Sequence, residues 1–332
     1  MSGGLMGREA RPNNPDRTDA NAPLIRPIRR TRKSMTLYKY ARPERIDVIE
    51  NLELRFTQPG ALNDPFELRP RFEALISEAE ALAKLAETPV DLEPILQEAY
   101  AMLPAEHRAK LSFESVLAIV SSYMTTDEAR ETMSATLLTV LRSLRSGAPR
   151  IREQIYDALN NNVGILSLSE VPDNAVMWAH YADNHRGMVL GFDETHGFFN
   201  QRRSPNDEFY YLRRVVYADL APAPSMLALE GDAIFVTKGK QWAYEQEWRM
   251  LAPLRDATRS VTIAGDVVYL FAFPPEALTT IVLGANATST FEAALRDAVR
   301  TRAALGHVRI SRAVLDLDNQ KVQVPLPQPR GA

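Results

Sequence analysis

The chain holds 332 residues, 45% hydrophobic and 24% charged, with 39 Lys and Arg against 42 Asp and Glu and a formal net charge of -3. So even a balance excludes bulk nucleic-acid binding through a basic surface, while the length allows one large domain or two ordinary ones with a substantial apolar core. Cysteine is absent, which excludes disulfides, thiolate metal sites and a cysteine nucleophile, and fits a reducing cytoplasm.

No apolar run approaches the roughly 20 residues of a spanning helix, and the first residues lack the apolar stretch of a secretory signal. The expectation is a cytoplasmic protein without a membrane partner. Residues 1–34, rich in Arg, Pro, Asn and Gly, read as a disordered basic arm. The cluster Arg26, Arg29, Arg30, Arg32 and Lys33 can attract an acidic partner or a phosphate backbone, although a solvated arm is the simpler reading.

Order is expected from Met35. Met35 to Tyr40 alternates as a strand, Arg42 to Glu50 suits a short helix, and Leu52 to Thr57 alternates again. Asn63-Asp64-Pro65 reads as a turn. Residues 35–71 thus form the first part of an α/β core. Over 72–160 apolar residues recur at three- and four-residue intervals, which predicts a helical insertion of roughly four helices, broken near Pro89, Pro104 and Gly147-Ala148-Pro149. Leu137, Leu138, Val140, Leu141 and Leu144 should be its buried stripe.

Residues 161–325 return to the core. Strands are predicted at 165–169, 188–192, 214–217, 242–251, within 261–273 and at 279–283, with a helix at 174–183, a polar turn at 184–187, a last helix at 290–304 and a last strand at 307–314. Residues 326–332 are a Pro-rich tail. The class is α+β.

Three segments carry chemistry. In Trp242 to Leu251, read as a strand, Glu245, Glu247 and Arg249 share one face, with the two carboxylates about 7 Å apart. Like charges at that distance raise the pKa of one of them when water is excluded, as acid/base or cation-stabilising work requires. The competing reading is an ion pair of the glutamates with Arg249 and Lys238 or Lys240. The flanking Trp242, Tyr244 and Trp248 favour a partly desolvated groove. The second segment concentrates His180, Tyr181, Asp183, His185 and Arg186, where imidazole can donate, accept or ligate. In the first, Asn63, Asp64 and Glu67 make a turn or a substrate clamp, and Tyr38, Lys39 and Tyr40 offer a phosphate donor and a stacking ring.

The strings Leu37-Tyr38-Lys39-Tyr40, Leu54-Arg55-Phe56-Thr57, Asn63-Asp64-Pro65-Phe66-Glu67, Ser167-Leu168-Ser169-Glu170, Met177 through Gly187, and Trp242 through Arg249 resemble the bacterial domain of unknown function 2971 family. The resemblance covers most of 36–285, with 72–160 as a variable interior. It implies that these blocks belong to one fold and supplies no reaction. More distantly the chain looks like an ADP-ribosyltransferase-type fold, which implies a split or strongly twisted, mainly antiparallel sheet and NAD or another nucleotide as substrate, in a bacterial defence or toxin context. In that likeness Glu245-Gln246-Glu247 matches a late-strand Glu-x-Glu, Lys39 or Arg55 a first-strand cation, and Ser167, Ser169 or Tyr181 a middle-strand group.

On this reading Glu247, Glu245 and His180 are catalytic. Tyr38, Lys39, Arg55, Asn63, Asp64, Tyr181, His185, Arg186 and Arg249 bind the substrate, and no residue is assigned to a metal. The ligand is a nucleotide or small molecule, with a protein or nucleic acid as a further target. Two alternatives stand beside it: a metal-dependent nuclease or phosphoesterase with Asp64, Glu67, His180, His185 and Glu247 as ligands, although no H-E-x-x-H spacing is present, and a non-catalytic sensor module. Glycine-rich phosphate loops are missing, which disfavours a Rossmann or P-loop enzyme. A shared site requires Glu245, Glu247, His180, Asn63 and Tyr38 to gather around one pocket.

Overall fold

The computed structural model describes residues 35–87, 91–229 and 231–325, so the expected basic arm, the Pro-rich tail and the break at Pro89 lie outside the described residues. The alternating Thr36–Ala41 forms β1, which puts Leu37 and Ala41 on one face and Tyr38 and Tyr40 on the other. A 3-10 turn and α1 (Asp47–Asn51) lead into β2 (Glu53–Phe56). A short strand, β3 (Phe72–Ala74), precedes the insertion.

Among the described residues the insertion holds six helices where about four were expected: α2 (Glu78–Glu87), α3 (Glu93–Ala101), α4 (Ala105–Arg108), α5 (Phe113–Met124), α6 (Asp127–Arg145) and α7 (Ala148–Asn162). Two boundaries are set by local polar groups. Ser112 caps α5 by accepting from the Ser115 N–H, and the Thr126 hydroxyl accepts from the Ala129 N–H at the start of α6. The predicted buried stripe of α6 is only half-buried at Leu137, Leu138 and Leu141, and Val140 is 49% exposed.

The core continues through β4 (Val163–Ser169), α8 (Ala175–Tyr181), β5 (Met188–Asp193), β6 (Leu212–Arg214), β7 (Val216–Ala218), β8 (Ala223–Ser225), α9 (Ala233–Val236), β9 (Thr237–Gly239) and β10 (Glu247–Pro253). It ends with β11 (Arg259–Ile263), β12 (Asp266–Ala272), β13 (Leu278–Leu283), α10 (Ser289–Arg300), β14 (Arg309–Arg312) and a hairpin of β15 (Val314–Asp316) and β16 (Lys321–Gln323). The single strand expected at 214–217 is two, parted at buried Val215. The strand expected from Trp242 begins only at Glu247, because Lys240–Glu245 winds into a 3-10 helix.

Seven strands make the main sheet in the order β14-β13-β5-β1-β4-β10-β6, antiparallel except for the β13–β14 pair. It is a split sheet. β1 pairs with β5 from Thr36↔Asp193 to Ala41↔Met188, yet meets β4 only at Tyr38↔Ser169. Farther down, β4 instead meets the end of β2 at Thr57↔Ile165, and β2 belongs to a separate three-stranded sheet, β11-β12-β2. The edge of β4 between those two contacts is therefore left open by a fork.

The main apolar cluster lies on one face of the large sheet and contains Leu166 and Leu168 of β4, Trp248 and Met250 of β10, and Leu295 and Val299 of α10. On the opposite face are two smaller clusters, one around Tyr38, Tyr40 and Trp178 and one around Leu68, Ile165 and Leu251. The residues between them on that face are polar. No described helix is long and apolar enough to cross a membrane.

Candidate functional site

Sheet register builds the polar strip. Tyr38 stands opposite Ser169 and Ser169 opposite Glu247, so residues of three strands form one row, with Ser167 and Arg249 opposite each other in the next. On this face β10 presents Glu247 and Arg249 before returning to apolar Leu251. At the fork the side chains border a cleft of about 230 Å³. β1 contributes Tyr38, Lys39 and Tyr40, β4 contributes Ser167, Leu168 and Ser169, α8 contributes Met177 and Tyr181, and the loop after β2 contributes Asn63 and Glu67. Lys238, Glu245 and Glu247 line it as well.

Glu245 and Glu247 meet by a route other than the expected strand. Glu245 ends the 3-10 helix, Gln246 turns left-handed (φ 44, ψ 54), and Glu247 opens β10. This reversal brings both carboxylates to one ammonium: Lys238 Nζ donates to Glu245 Oε2 at 2.7 Å and to Glu247 Oε2 at 3.2 Å, and stands 3.7 Å from Glu67 Oε2. Arg249 backs the group, with Nε 2.9 Å from Glu247 Oε1, Nη2 2.9 Å from Glu247 Oε2 and paired with Glu67 Oε1, and Nη1 donating to the Phe235 carbonyl at 2.8 Å. Lys240, the other cation considered, is exposed and pairs with Asp219.

The cluster is anchored from outside. Tyr181 Oη donates to Glu245 Oε1 at 2.6 Å and accepts from Asn63 Nδ2 at 2.6 Å. Ser169 Oγ donates to the Glu245 carbonyl at 2.6 Å, and the Glu247 N–H donates to Tyr217 Oη at 2.8 Å. At the open edge Lys39 Nζ donates to the Ser167 carbonyl at 3.0 Å, satisfying an acceptor that β1 leaves unpaired by diverging.

The ionisation states follow from burial. Burial raises the Glu247 pKa; Lys238 opposes the shift and Glu245 adds to it. Burial works against the charge of Lys238 too, but Glu247 and Glu245 together outweigh it and hold the ammonium above its ordinary value. Lys39 falls to about 8 through burial, with Arg45 adding repulsion and Glu247 opposing. Tyr181 is raised by burial and by Glu245, so its hydroxyl keeps the proton it donates.

The structure brings together Tyr38, Lys39, Asn63, Tyr181, Glu245 and Glu247, and sets Arg249 directly behind Glu247. It does not bring in His180. Met177 and Tyr181, one turn apart, occupy the cleft side of α8, so His180 is turned about 100° away from Tyr181 and is exposed. Arg55 leaves with β2 into the three-stranded sheet. Asp64 is buried beneath the loop and accepts the Phe66 N–H at 2.9 Å in an Asx turn. The His185 ring stacks on Trp178 (centroids 5.9 Å apart, planes at 8°), and Arg186 is exposed beside Asp183 at 3.7 Å.

The ligand set Asp64, Glu67, His180, His185 and Glu247 is thus not convergent, and Lys238 already stands where the glutamates meet. Among the described residues no group of three or more His, Cys, Asp or Glu is arranged to hold a metal. The sequence pointed to Lys238 only as a counter-ion. Tyr217 was missed, and nothing in its local sequence distinguishes it from a packing tyrosine.

No curated protein and no solved structure matches this chain. A family model described as protein of unknown function (DUF2971) matches residues 177–250, the stretch that supplies Met177, Tyr181, Lys238, Glu245 and Glu247 to the cleft, and over that stretch the chain resembles this family.

Proposed function

We propose that the protein is an ADP-ribosyltransferase-like enzyme that breaks the ribosyl bond of NAD or another nucleotide in the cleft at the sheet fork. One observation carries this reading: Tyr38, Ser169 and Glu247 lie in a row across three strands where the sheet opens, with Glu245 delivered to the same ammonium. A cleft of about 230 Å³ takes a ring and its sugar rather than a whole dinucleotide, so the remainder of the substrate lies along the mouth, beside Lys39 and Asn63.

In the reaction the bond between ribose C1′ and the base nitrogen breaks, and its electron pair leaves with the base. Positive charge develops at C1′, where the Glu247 carboxylate stabilises it. Water or an acceptor hydroxyl then forms the new C1′–O bond and passes its proton to Glu245, which Tyr181 and Lys238 hold in place. Lys238 and Arg249 fix the carboxylates before substrate arrives, which is the preorganisation electrostatic catalysis needs.

The test is incubation of purified protein with NAD, other nucleotides and RNA in separate reactions, with and without divalent metal, followed by mass spectrometry. Release of the base from NAD without added metal is expected. Metal-dependent cleavage of RNA with NAD untouched overturns the reading.

A further inference from the structure

Away from the cleft, the helical insertion carries an apolar helix that nothing among the described residues covers. Of the twelve residues of α5 only Glu114 is charged, and none is buried. A helix this poor in charge normally belongs to a packed layer. Its half-buried Val116, Leu117 and Val120 mark an inner side, closed where Tyr100 of α3 meets Phe113 edge to face at 5.6 Å and donates to the Leu111 carbonyl at 2.7 Å. The outer side repeats Ser115, Ala118, Ile119, Ser122 and Tyr123 at three- and four-residue spacing, with Ile119 61% and Tyr123 46% exposed. Ile95, Met102, Leu103 and Leu111 are exposed as well. These six large apolar side chains, each more than two-fifths exposed, leave on the order of 700 Å² bare, against about 800 Å² per partner in a standard interface.

The charges at the two ends of α5 decide what covers it. Arg108 and Lys110 stand before it, Glu128 and Glu131 after it, all exposed, and among the described residues none of the four makes an ion pair; Asp127 is taken by Arg130 at 3.1 Å. A membrane surface or a target of one sign suits one end and repels the other. A second α5 laid antiparallel suits both, because its acidic end lies beside Arg108 and Lys110 and its basic end beside Glu128 and Glu131. In chain order Ile119 falls midway between Lys110 and Glu128, so in that register it meets its own copy. We infer that the insertion is a dimerisation module, through which two copies of this chain join by antiparallel packing of α5 about a two-fold axis at Ile119. This pairing is independent of the chemistry in the cleft.

The test is sedimentation equilibrium of the full-length protein from about 1 to about 200 μM, where a reversible equilibrium between monomer and dimer is expected. Ile119→Glu sets two carboxylates face to face at the axis and should raise the dissociation constant at least about tenfold, with far-UV circular dichroism unchanged because the position is exposed. Lys110→Glu alone and Glu128→Lys alone each bring like charges together twice per dimer and should weaken it at least about threefold. Mixed in equal amounts, these two variants should pair with the wild-type affinity, since opposite charges again meet at both ends, a rescue that a general loss of folding cannot produce. A monomer at every concentration, a dimer that Ile119→Glu leaves intact, or a mixture no tighter than either variant alone overturns the inference.

Discussion

Lys39 stands at the open edge of β4 with its ammonium pulled down to about 8 from an ordinary 10.5. The folded-state value lies below the unfolded one, so between these two pKa values the unfolded chain holds more protons and stability rises with pH through that window. Four tyrosines of the site region, Tyr38, Tyr40, Tyr181 and Tyr217, have raised pKa values and favour the unfolded state at still higher pH. Chemical denaturation at a series of pH values should therefore show wild type gaining stability above pH 8, by up to about 3 kcal/mol from this group. Lys39→Met should lose that rise; an unchanged slope would contradict the buried ammonium.

The same scale separates Lys238 from the glutamates. Removing Lys238 as Met strips the shared cation from Glu67, Glu245 and Glu247 and should destabilise by about 3–5 kcal/mol. Replacing one glutamate by Gln leaves each cation another carboxylate, so thermal melts should show a much smaller loss. Tyr181→Phe removes the donor to Glu245 and the acceptor for Asn63, and should lower stability by about 1–2 kcal/mol.

At the level of elements, the turn between the 3-10 helix and β10 decides where the carboxylates point. Gln246 holds φ 44 there, a conformation that strains an L-residue by about 1–2 kcal/mol. Gln246→Gly should raise stability by up to about 1 kcal/mol in urea unfolding, whereas β-branched Gln246→Val should lower it and reduce turnover by parting Glu245 from Glu247. Loss of stability in the glycine variant would contradict this turn.

That turn was illegible in the sequence. Trp242, Tyr244, Gln246 and Trp248 alternate with Ala243, Glu245 and Glu247 as a strand would, and no Gly or Asn marks the left-handed position. β1 and β5 were legible because alternation and a continuous apolar run are what their buried positions demand. The pairing of Glu245 with Glu247 was visible in the sequence, but the geometry that joins them was not. His180 was misplaced because residue type does not say which face of α8 meets the cleft, and Met177 and Tyr181 take it.

Across the whole molecule, the fork depends on β1 and β2 leaving β4 in different directions, and the insertion braces one side of it. Asn160 of α7 accepts the Gly60 N–H at 2.7 Å and its carbonyl accepts from Gln58 at 3.2 Å, steadying the loop that carries Asn63. By contrast α3, α4 and α5 bury no residue. Glu78 pairs with Arg142, which sets the start of α2 beside the end of α6. Replacing 91–126 with a short Gly/Ser linker should therefore leave the melting temperature within about 4 °C of wild type. A collapse of the fold would show that those helices belong to the core.

The central claim is that the charge of Glu247, set by register beside Ser169 and Tyr38, drives cleavage of a ribosyl bond. The most direct measurement follows release of the base from NAD by wild type and by Glu247→Gln, with melting temperatures taken on the same samples. The prediction is a loss of turnover of at least about 100-fold with a melting temperature within about 4 °C of wild type. A variant that melts normally and releases the base at the wild-type rate would contradict it.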